Sequence, residues 1–416
     1  MQKPAQLGRF FYGREEINPM DKVDRWLLPD GIEEMLPEEA SNVENLRRRL
    51  VDLFRSWGYD YVIPPMVEFV DSLLSGSGED ADLLTFKLTD QLSGKTMGIR
   101  ADITPQAARM DAHSLKRSGI NRLCYAGHVM YTRPKSPLAS RTPVQVGVEL
   151  FGESGLSADL EVISLLIEAL EVAGLEKQYI DIGHASIFKA LANYAELSKD
   201  DEAALFALMQ VKASNEIASW LEEKVQKEDA ARWLLSLTGL SGSASVLKEA
   251  EAILTGAPQA VAQALGDLQY LAKVLKQRYP MANLYFDLSE LRGYHYYTGI
   301  IFGAFAPGIG NAIANGGRYD RIGEAFGRAR PASGFAADLS AISRINIKTQ
   351  QGKKGIFAQA SESEFLWEAI KELRVKGERV VCGLGGQDKP LHHQNCDRIL
   401  VEDNGIHIVK VLESEQ

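Results

Sequence analysis

Apolar positions recur along this chain with helical and strand periods. Leu46, Leu50, Leu53, Phe54 and Trp57 follow one another at the spacing of an amphipathic helix. Ser41-Asn42-Val43-Glu44 has the form of a capping box ahead of them, and Gly58 is placed to end the helix in a left-handed cap. Tyr59 to Glu68 reads as a strand broken by Pro64-Pro65, which suits an edge position. Residues 84–99 predict a β-hairpin that turns near Ser93-Gly94. Thr104-Pro105 followed by Gln106 to Met110 reads as a helix cap with proline at the first helical position. Val144 to Glu149 alternates like a strand, with Gln145 and Glu149 on one face and Val146 and Val148 on the other. An apolar helix over 158–173 ends at Gly174, and a strand follows from Tyr179 to His184.

Residues 185–280 are richer in alanine, leucine and charge, and predict helices over 201–223, 244–254 and 258–278. Lys212 and Arg232 in this stretch follow no pattern that assigns a ligand. The last segment, from Gln350 to Gly355 onward, predicts a helix over 362–376 with Phe365, Leu366, Ala369, Ile370 and Leu373 on one side. A short strand at Val380 to Cys382 follows, then a hairpin around Asn404-Gly405, a strong type I′ turn signal. These boundaries divide the chain into an arm (1–25), a core (26–345) carrying a helical insert (about 185–280), and a small C-terminal α/β domain (350–416).

Composition narrows the classes. The chain has 416 residues, 45% hydrophobic and 25% charged, ordinary for a soluble globular protein of two or three domains. It holds no run of about 18 apolar residues, so no membrane span is expected. The N-terminus lacks the apolar core of a signal peptide and looks like a flexible arm. Cys124, Cys382 and Cys396 show neither CxxC spacing nor an obvious pairing, which fits a reducing cytoplasm. A net charge of −10 lowers the expectation of an RNA partner, and Arg47 to Arg49 read as the solvated face of their helix. Gly383 to Lys389 lacks the GK[ST] ending of a phosphate loop, and His392-His393 lacks a third ligand, so neither a cofactor nor a metal is expected.

The most informative stretch is 291–342. Thr298 to Phe305 alternates as a strand, and Gly308, Gly310 and Asn311 break it into a loop. Asn315-Gly316-Gly317 is read as a loop run supplying positive-φ positions and a close backbone approach. Arg292, His295, Tyr296, Tyr297, Arg318, Tyr319 and Asp320 crowd both sides. A guanidinium suits a carboxylate and phenols suit a small polar ring, but the spacing alone equally describes a buried aromatic hairpin.

Three motifs tip that balance. Arg292-Gly293-x-x-Tyr296-Tyr297-Thr298-Gly299, Gly316-Gly317-Arg318-Tyr319-Asp320 and Pro331-Ala332-Ser333-Gly334-Phe335 resemble the histidine-binding motifs and third class motif of histidyl-tRNA synthetases. With Tyr294 and His295 inside the first motif, and Ile322-Gly323 and Phe326-Gly327-Arg328-Ala329-Arg330-Pro331 after the second, the chain is more similar to a paralogue family. That family is the regulatory subunit of short-form ATP phosphoribosyltransferase, the first enzyme of histidine biosynthesis. The resemblance runs from about residue 25 to 345.

It implies an α+β fold, a class II aminoacyl-tRNA synthetase-like antiparallel sheet flanked by helices, with a homodimer interface built from the first helix, the strand and its prolines. It further implies that Asp102, Thr104 and Gln145 surround the ammonium of a bound L-histidine and that Glu149 accepts from its imidazole. Arg292, Tyr296, Tyr297 and Tyr319 complete the site. The second-motif arginine position is Met130, the acidic position two further is Thr132, and the third-motif arginine position is Ala341. Asp102 is a methylene shorter than the synthetases' glutamate, and residues 350–416 are short for their anticodon-binding domain. The expectation is therefore a catalytically silent subunit that joins the catalytic transferase in a hetero-octamer, carries histidine feedback, binds no tRNA and uses the loop 306–317 as its mobile element. Alternatives are an active histidyl-tRNA synthetase or a free-standing histidine sensor.

Overall fold

A computed structural model describes residues 26–75, 79–136, 139–175, 177–290, 292–293, 296–345, 354–403 and 406–412. The expected N-terminal arm, Tyr294, His295, the Gln350 to Lys353 linker and the Asn404-Gly405 turn lie outside the described residues.

The first twelve strands are β1 (Asp60–Tyr61), β2 (Val67–Phe69), β3 (Phe86–Thr89), β4 (Thr96–Ile99), β5 (Asn121–His128), β6 (Val144–Phe151), β7 (Tyr179–His184), β8 (Ser241–Gly242), β9 (Asn283–Asp287), β10 (Ile300–Phe305), β11 (Ala314–Arg318) and β12 (Ala332–Asp338). Nine of them form one sheet in the order β1-β5-β6-β12-β11-β10-β7-β9-β8. From β5 across to β7 every pairing is antiparallel; β1 on β5 and β7 on β9 are parallel. The proline-broken strand becomes β1 and β2, two short strands in different sheets, because Pro64 and Pro65 cannot continue a ladder. β2 joins the expected hairpin β3–β4 in a three-stranded sheet, and Gly94 takes φ +71° in its turn.

Alternation decides what each sheet face does. Val146 and Val148 turn to the apolar side, packed with Phe54, Leu166 and Phe335. The helix Leu156–Val172 packs on that side, its middle buried from Leu160 to Leu170. Six described helices lie between β7 and β9, and their buried leucines (Leu205, Leu234, Leu268) share one apolar core with Ile180 and Ile182.

Several expectations need correction. The first helix begins at Pro37, one turn before Ser41, with proline in its first turn and Glu38 and Glu39 beside the positive helix end. Ser41 Oγ therefore donates back to the Pro37 carbonyl, and Glu44 pairs with Arg47 and Arg48, so there is no capping box. Thr104 is inside its helix rather than capping it; Ile103 is the cap residue. The helix expected over 201–223 is two, Lys199–Gln210 and Ser214–Lys224, broken where Lys212 adopts φ +50° and reaches Asp287 at 2.6 Å. Helices Ala185–Tyr194 and Glu228–Leu237 escaped the sequence reading.

Gly316 and Gly317 are not loop residues with positive φ; they sit mid-strand in β11. Their role is close approach: a Cβ on Gly316 would lie 2.5 Å from the Phe302 ring, and one on Gly317 2.7 Å from the Tyr297 ring. In the C-terminal region β13 (Gly355–Ala358), β14 (Val380–Cys382), β15 (Cys396–Asp403) and β16 (Ile406–Val411) form a second sheet in the order β14-β13-β15-β16. Its buried centre, β13, lies where the sequence analysis assigns no element. Phe365, expected in the helix's core face, is exposed and packs on His407, ring centroids 4.9 Å apart. No described helix is long and apolar enough to cross a membrane.

Arg318 is structural rather than a recognition residue. Its guanidinium binds the fully buried Asp159 at 2.6 Å, and Asp159 also accepts from Ser333 Oγ at 2.7 Å. Removing one member of a buried pair strands the other charge. Arg318→Met is expected to lower stability by about 3–5 kcal/mol, read as a shift in the urea unfolding midpoint.

Candidate functional site

Gln145 and Glu149 project from the sheet face opposite Val146 and Val148. In register with them across the sheet, Glu149 pairs with Gly334 of β12, Gly334 with Gly317 of β11, and Gly317 with Ile301 of β10. One row over, Gly147, Ala336, Asn315 and Gly303 line up, ending at Asp181 of β7. This row of small residues makes a shallow floor, and loops wall it into a cavity of about 750 Å³, within the usual range for small-molecule sites.

All eight residues singled out from the sequence line this cavity: Asp102, Thr104, Gln145, Glu149, Arg292, Tyr296, Tyr297 and Tyr319. They come from four separate stretches of chain. At one end, Gln145 Nε2 donates to Asp102 Oδ1 at 2.9 Å and Gln145 Oε1 accepts from the Ile103 amide at 2.9 Å. The Thr104 amide donates to the same Asp102 oxygen at 3.1 Å. These bonds fix the exposed Asp102 carboxylate and the Gln145 amide as one acceptor-rich corner, the type of group an ammonium needs.

At the floor, Glu149 is 1% exposed. Tyr125 OH donates to its Oε1 at 3.0 Å, Tyr319 OH donates to its Oε2, and Thr104 Oγ1 lies 3.1 Å from Tyr125 OH. Burial pushes the Glu149 carboxyl well above its ordinary range, and the Tyr125 hydroxyl bond pulls the other way. Tyr296 stacks on Tyr319 (5.1 Å, 24°) and meets Tyr297 edge-on (5.1 Å, 79°). Its hydroxyl is buried and lacks a hydrogen-bond partner among the described residues. Tyr125 is a site residue that the sequence does not mark: it lies in β5, where Leu123, Cys124 and Tyr125 are buried in succession and no alternation singles it out.

At the other end stands Arg292. Its Nη2 donates to Glu290 Oε2 at 2.5 Å, its own amide donates to Glu290 Oε1 at 2.8 Å, and Asp181 lies 3.6 Å away. The guanidinium packs over the Phe305 ring at 5.0 Å. Glycine at 303 makes room: a Cβ there would lie 3.3 Å from the guanidinium nitrogens. Burial, then the neighbouring Glu290 and Asp287 carboxylates, push Asp181 up to about 7.

Ala341 lines the cavity with no charge, and the Met130 amide is tied to the Arg100 carbonyl at 3.0 Å. The lining also holds Lys135, 4.3 Å from the Tyr131 ring centroid, and Arg344, paired to Glu33 at 2.6 Å and Glu39 at 2.8 Å. Arg318 and Asp320 stand outside it. Among the described residues no group of three or more His, Cys, Asp or Glu side chains could hold a metal ion, and His392-His393 form a short exposed turn.

The antiparallel sheet and its walled floor define a class II synthetase-like core. A family model described as histidyl-tRNA synthetase matches residues 31–342, and one described as ATP phosphoribosyltransferase subunit HisZ C-terminal domain matches residues 353–410. An ATP phosphoribosyltransferase regulatory subunit from Saccharophagus degradans is 65% identical over 94% of this chain and 99% of its own length. A solved structure described as an ATP phosphoribosyltransferase regulatory subunit/histidyl-tRNA synthetase, from Bacillus halodurans, has a TM-score of 0.77 at 28% identity, covering 88% of this chain and 94% of that one. A chain of the Thermotoga maritima ATP phosphoribosyl transferase (HisG:HisZ) complex shares the fold at TM-score 0.55 and 18% identity, covering 70% of this chain and 96% of that one. This chain belongs to the family of ATP phosphoribosyltransferase regulatory subunits.

The raised Asp181 carboxyl has a consequence for stability. The folded state holds this proton to about pH 7, whereas the unfolded chain releases it near 3.8, the ordinary value for an aspartate. The contribution is therefore present in full below pH 3.8 and is lost as pH rises through 7. Asp181→Asn should escape that loss, gaining about 2 kcal/mol over wild type on going from acid to mildly alkaline pH. Urea unfolding midpoints across that pH range check it.

Proposed function

We propose that this chain is the non-catalytic regulatory subunit of a short-form ATP phosphoribosyltransferase and that its cavity is a sensor for L-histidine. The observation that carries the reading is the convergence of eight residues from four stretches on one cavity with a charge order that matches one molecule. Asp102, Thr104 and Gln145 offer acceptors to the ammonium, Glu149 with its two phenols meets the imidazole, and Arg292 takes the carboxylate. The tyrosine stack beside Tyr319 supplies rigid apolar walls for a flat ring.

The same cavity argues against adenylate formation. Met130 and Ala341 stand where a synthetase would carry phosphate-gripping arginines, and each missing charge removes about 3 kcal/mol of transition-state stabilisation. Arg344, which also lines the cavity, is paired with Glu33 and Glu39. An active synthetase is thereby disfavoured, and the net charge of −10 runs against a tRNA partner.

Regulation requires that histidine bind two states of the assembly with different affinity. The structure shortens the expected mobile loop to 306–313, since 314–317 belong to β11, and this shorter loop is suited to report occupancy: Asn311 Nδ2 donates to Ser136 Oγ at 2.9 Å, and Gly308 has φ +86°. Homodimer formation through the first helix and the small sheet would cover Ile63, Met66, Phe69 and Leu92, all exposed. A hetero-octamer with the catalytic subunit rests on the family resemblance. The same reading treats 26–345 as one core, with 185–280 as its insert, and 350–416 as a small domain; buried residues near Ile356 and Leu400 form their own cluster. Free cysteines at Cys124, Cys382 and Cys396 accord with a cytoplasmic location.

Calorimetry should show L-histidine binding that Arg292→Met weakens at least about tenfold, the loss of roughly one charge-assisted hydrogen bond. Added to the catalytic subunit, the chain should raise turnover and confer inhibition by histidine, while histidine-dependent pyrophosphate exchange stays at background. Absence of histidine binding to both the free chain and the complex would sink the sensor role; activation of an unrelated partner alone would favour the free-standing sensor.

A further inference from the structure

Arg292 already has a carboxylate partner within the chain. Glu290 grips it at two points, taking the backbone amide on one carboxylate oxygen and Nη2 on the other. Only 12% of the Glu290 side chain is exposed, so a Glu290 that lost its cation would be left largely desolvated.

The groups around this pair are specific. Asp181 reaches in from β7, Asp287 and Tyr285 come from β9, and Lys212 comes from the break between two helices. Asp287 is held by Lys212 at 2.6 Å and by Ser289 Oγ at 2.6 Å. β10 contributes Gly303 and the Phe305 ring, neither titratable, and the Tyr297 phenol is a further titratable group acting on Arg292. Three carboxylates, Asp181, Asp287 and Glu290, therefore share two cations, Lys212 and Arg292. Asp181 is the least compensated: its Oδ1 is buried with no hydrogen-bond partner.

We infer that Glu290 is a built-in competitor for Arg292, so that ligand capture is an exchange of carboxylates, and that Asp181 takes up a proton when the exchange occurs. The inference rests on the reading above, in which Arg292 receives the ligand's carboxylate. The charge count drives it. An arriving carboxylate makes four anions around two cations, while the ligand's ammonium is neutralised elsewhere, at Asp102. In a half-buried site that excess is relieved most easily by protonating the carboxyl whose buried Oδ1 lacks a hydrogen bond. Burial and its acidic neighbours already hold Asp181 at about 7, so a further rise brings a proton on at neutral pH. Since the bound form holds more protons, affinity falls as pH rises through neutrality.

The discriminating probe is L-histidinol, which keeps the ammonium and imidazole and lacks the carboxylate. Titration calorimetry of the full chain at neutral pH, in buffers of low and high ionisation enthalpy, reads the proton count directly. L-histidine should bind with uptake of a fraction of a proton; histidinol should bind without it, and Asp181→Asn should abolish it for histidine. Glu290→Gln, which keeps a hydrogen bond but not the charge, should tighten histidine by about tenfold by freeing the competent arginine, and should leave histidinol unchanged. If Glu290→Gln binds histidine no tighter and Asp181→Asn leaves the proton count intact, the exchange is refuted while the histidine site stands. If wild type binds neither compound, the site reading falls and this inference with it.

Discussion

A carboxyl group buried at the centre of a sheet is the constraint on which the rest of this structure depends. Glu149 sits 1% exposed on a strand whose other face is all valine and leucine. Such a group is tolerated only if its oxygens are met, and two phenols from different strands and loops meet them. Each phenol then needs its own support. Tyr125 lies against Gly147, where a Cβ would fall 2.6 Å from its hydroxyl, and Tyr319 is backed by the stacked ring of Tyr296. Gly334, beside Glu149 on the next strand, leaves room for the carboxyl itself: a Cβ there would lie 2.8 Å from its Cδ. Gly147 and Gly334 are therefore consequences of seating one acid and its phenol partner on a flat floor.

That logic explains which parts were legible in the sequence. Period-two alternation over Val144 to Glu149 reports the face of each residue, and the structure places Gln145 and Glu149 in the cavity as it requires. Helices carried by leucine spacing were likewise readable. Gly316-Gly317 misled because glycine is a turn residue by default, whereas here it is a contact residue inside a strand. Arg318 misled because a guanidinium suits an external carboxylate and a buried aspartate equally; only the fold reveals Asp159, far away in the chain, as its partner. Glu290 and Asp181 carried no signal for the same reason, since their meeting at Arg292 depends on strands being brought into register. The four residues of β13 are too few to show a period against the neighbouring polar linker.

On the proposed reading, the cavity illustrates how a binding site outlives a reaction. Holding an amino acid needs acceptors at one end, a cation at the other and a polar group for the side chain, all of which act in the ground state. Transferring a phosphoryl group needs further cations aimed at charge that develops only in the transition state. The two sets are physically separable, because they contact different molecules. Met130 and Ala341 remove members of the second set without touching Asp102, Gln145, Glu149 or Arg292, so a sensor is reached by subtraction, and the sheet that seats Glu149 is kept intact.

A sensor has a requirement that an enzyme lacks: its empty state must be defined, since the empty state is a signal too. An unpaired arginine in an open cavity would capture any passing carboxylate and would leave its loop in many conformations. Glu290 supplies that definition from two residues away in the chain, at little cost in chain entropy, because its partner is already close. At the opposite end, Gln145 performs the same service for Asp102 by holding one of its oxygens. Both charged ends of the cavity thus have partners within the chain, and on the proposed reading a zwitterion would compete for both contacts. On that reading the affinity is the difference between two sets of good contacts, which would keep it moderate and let the ligand leave when its concentration falls.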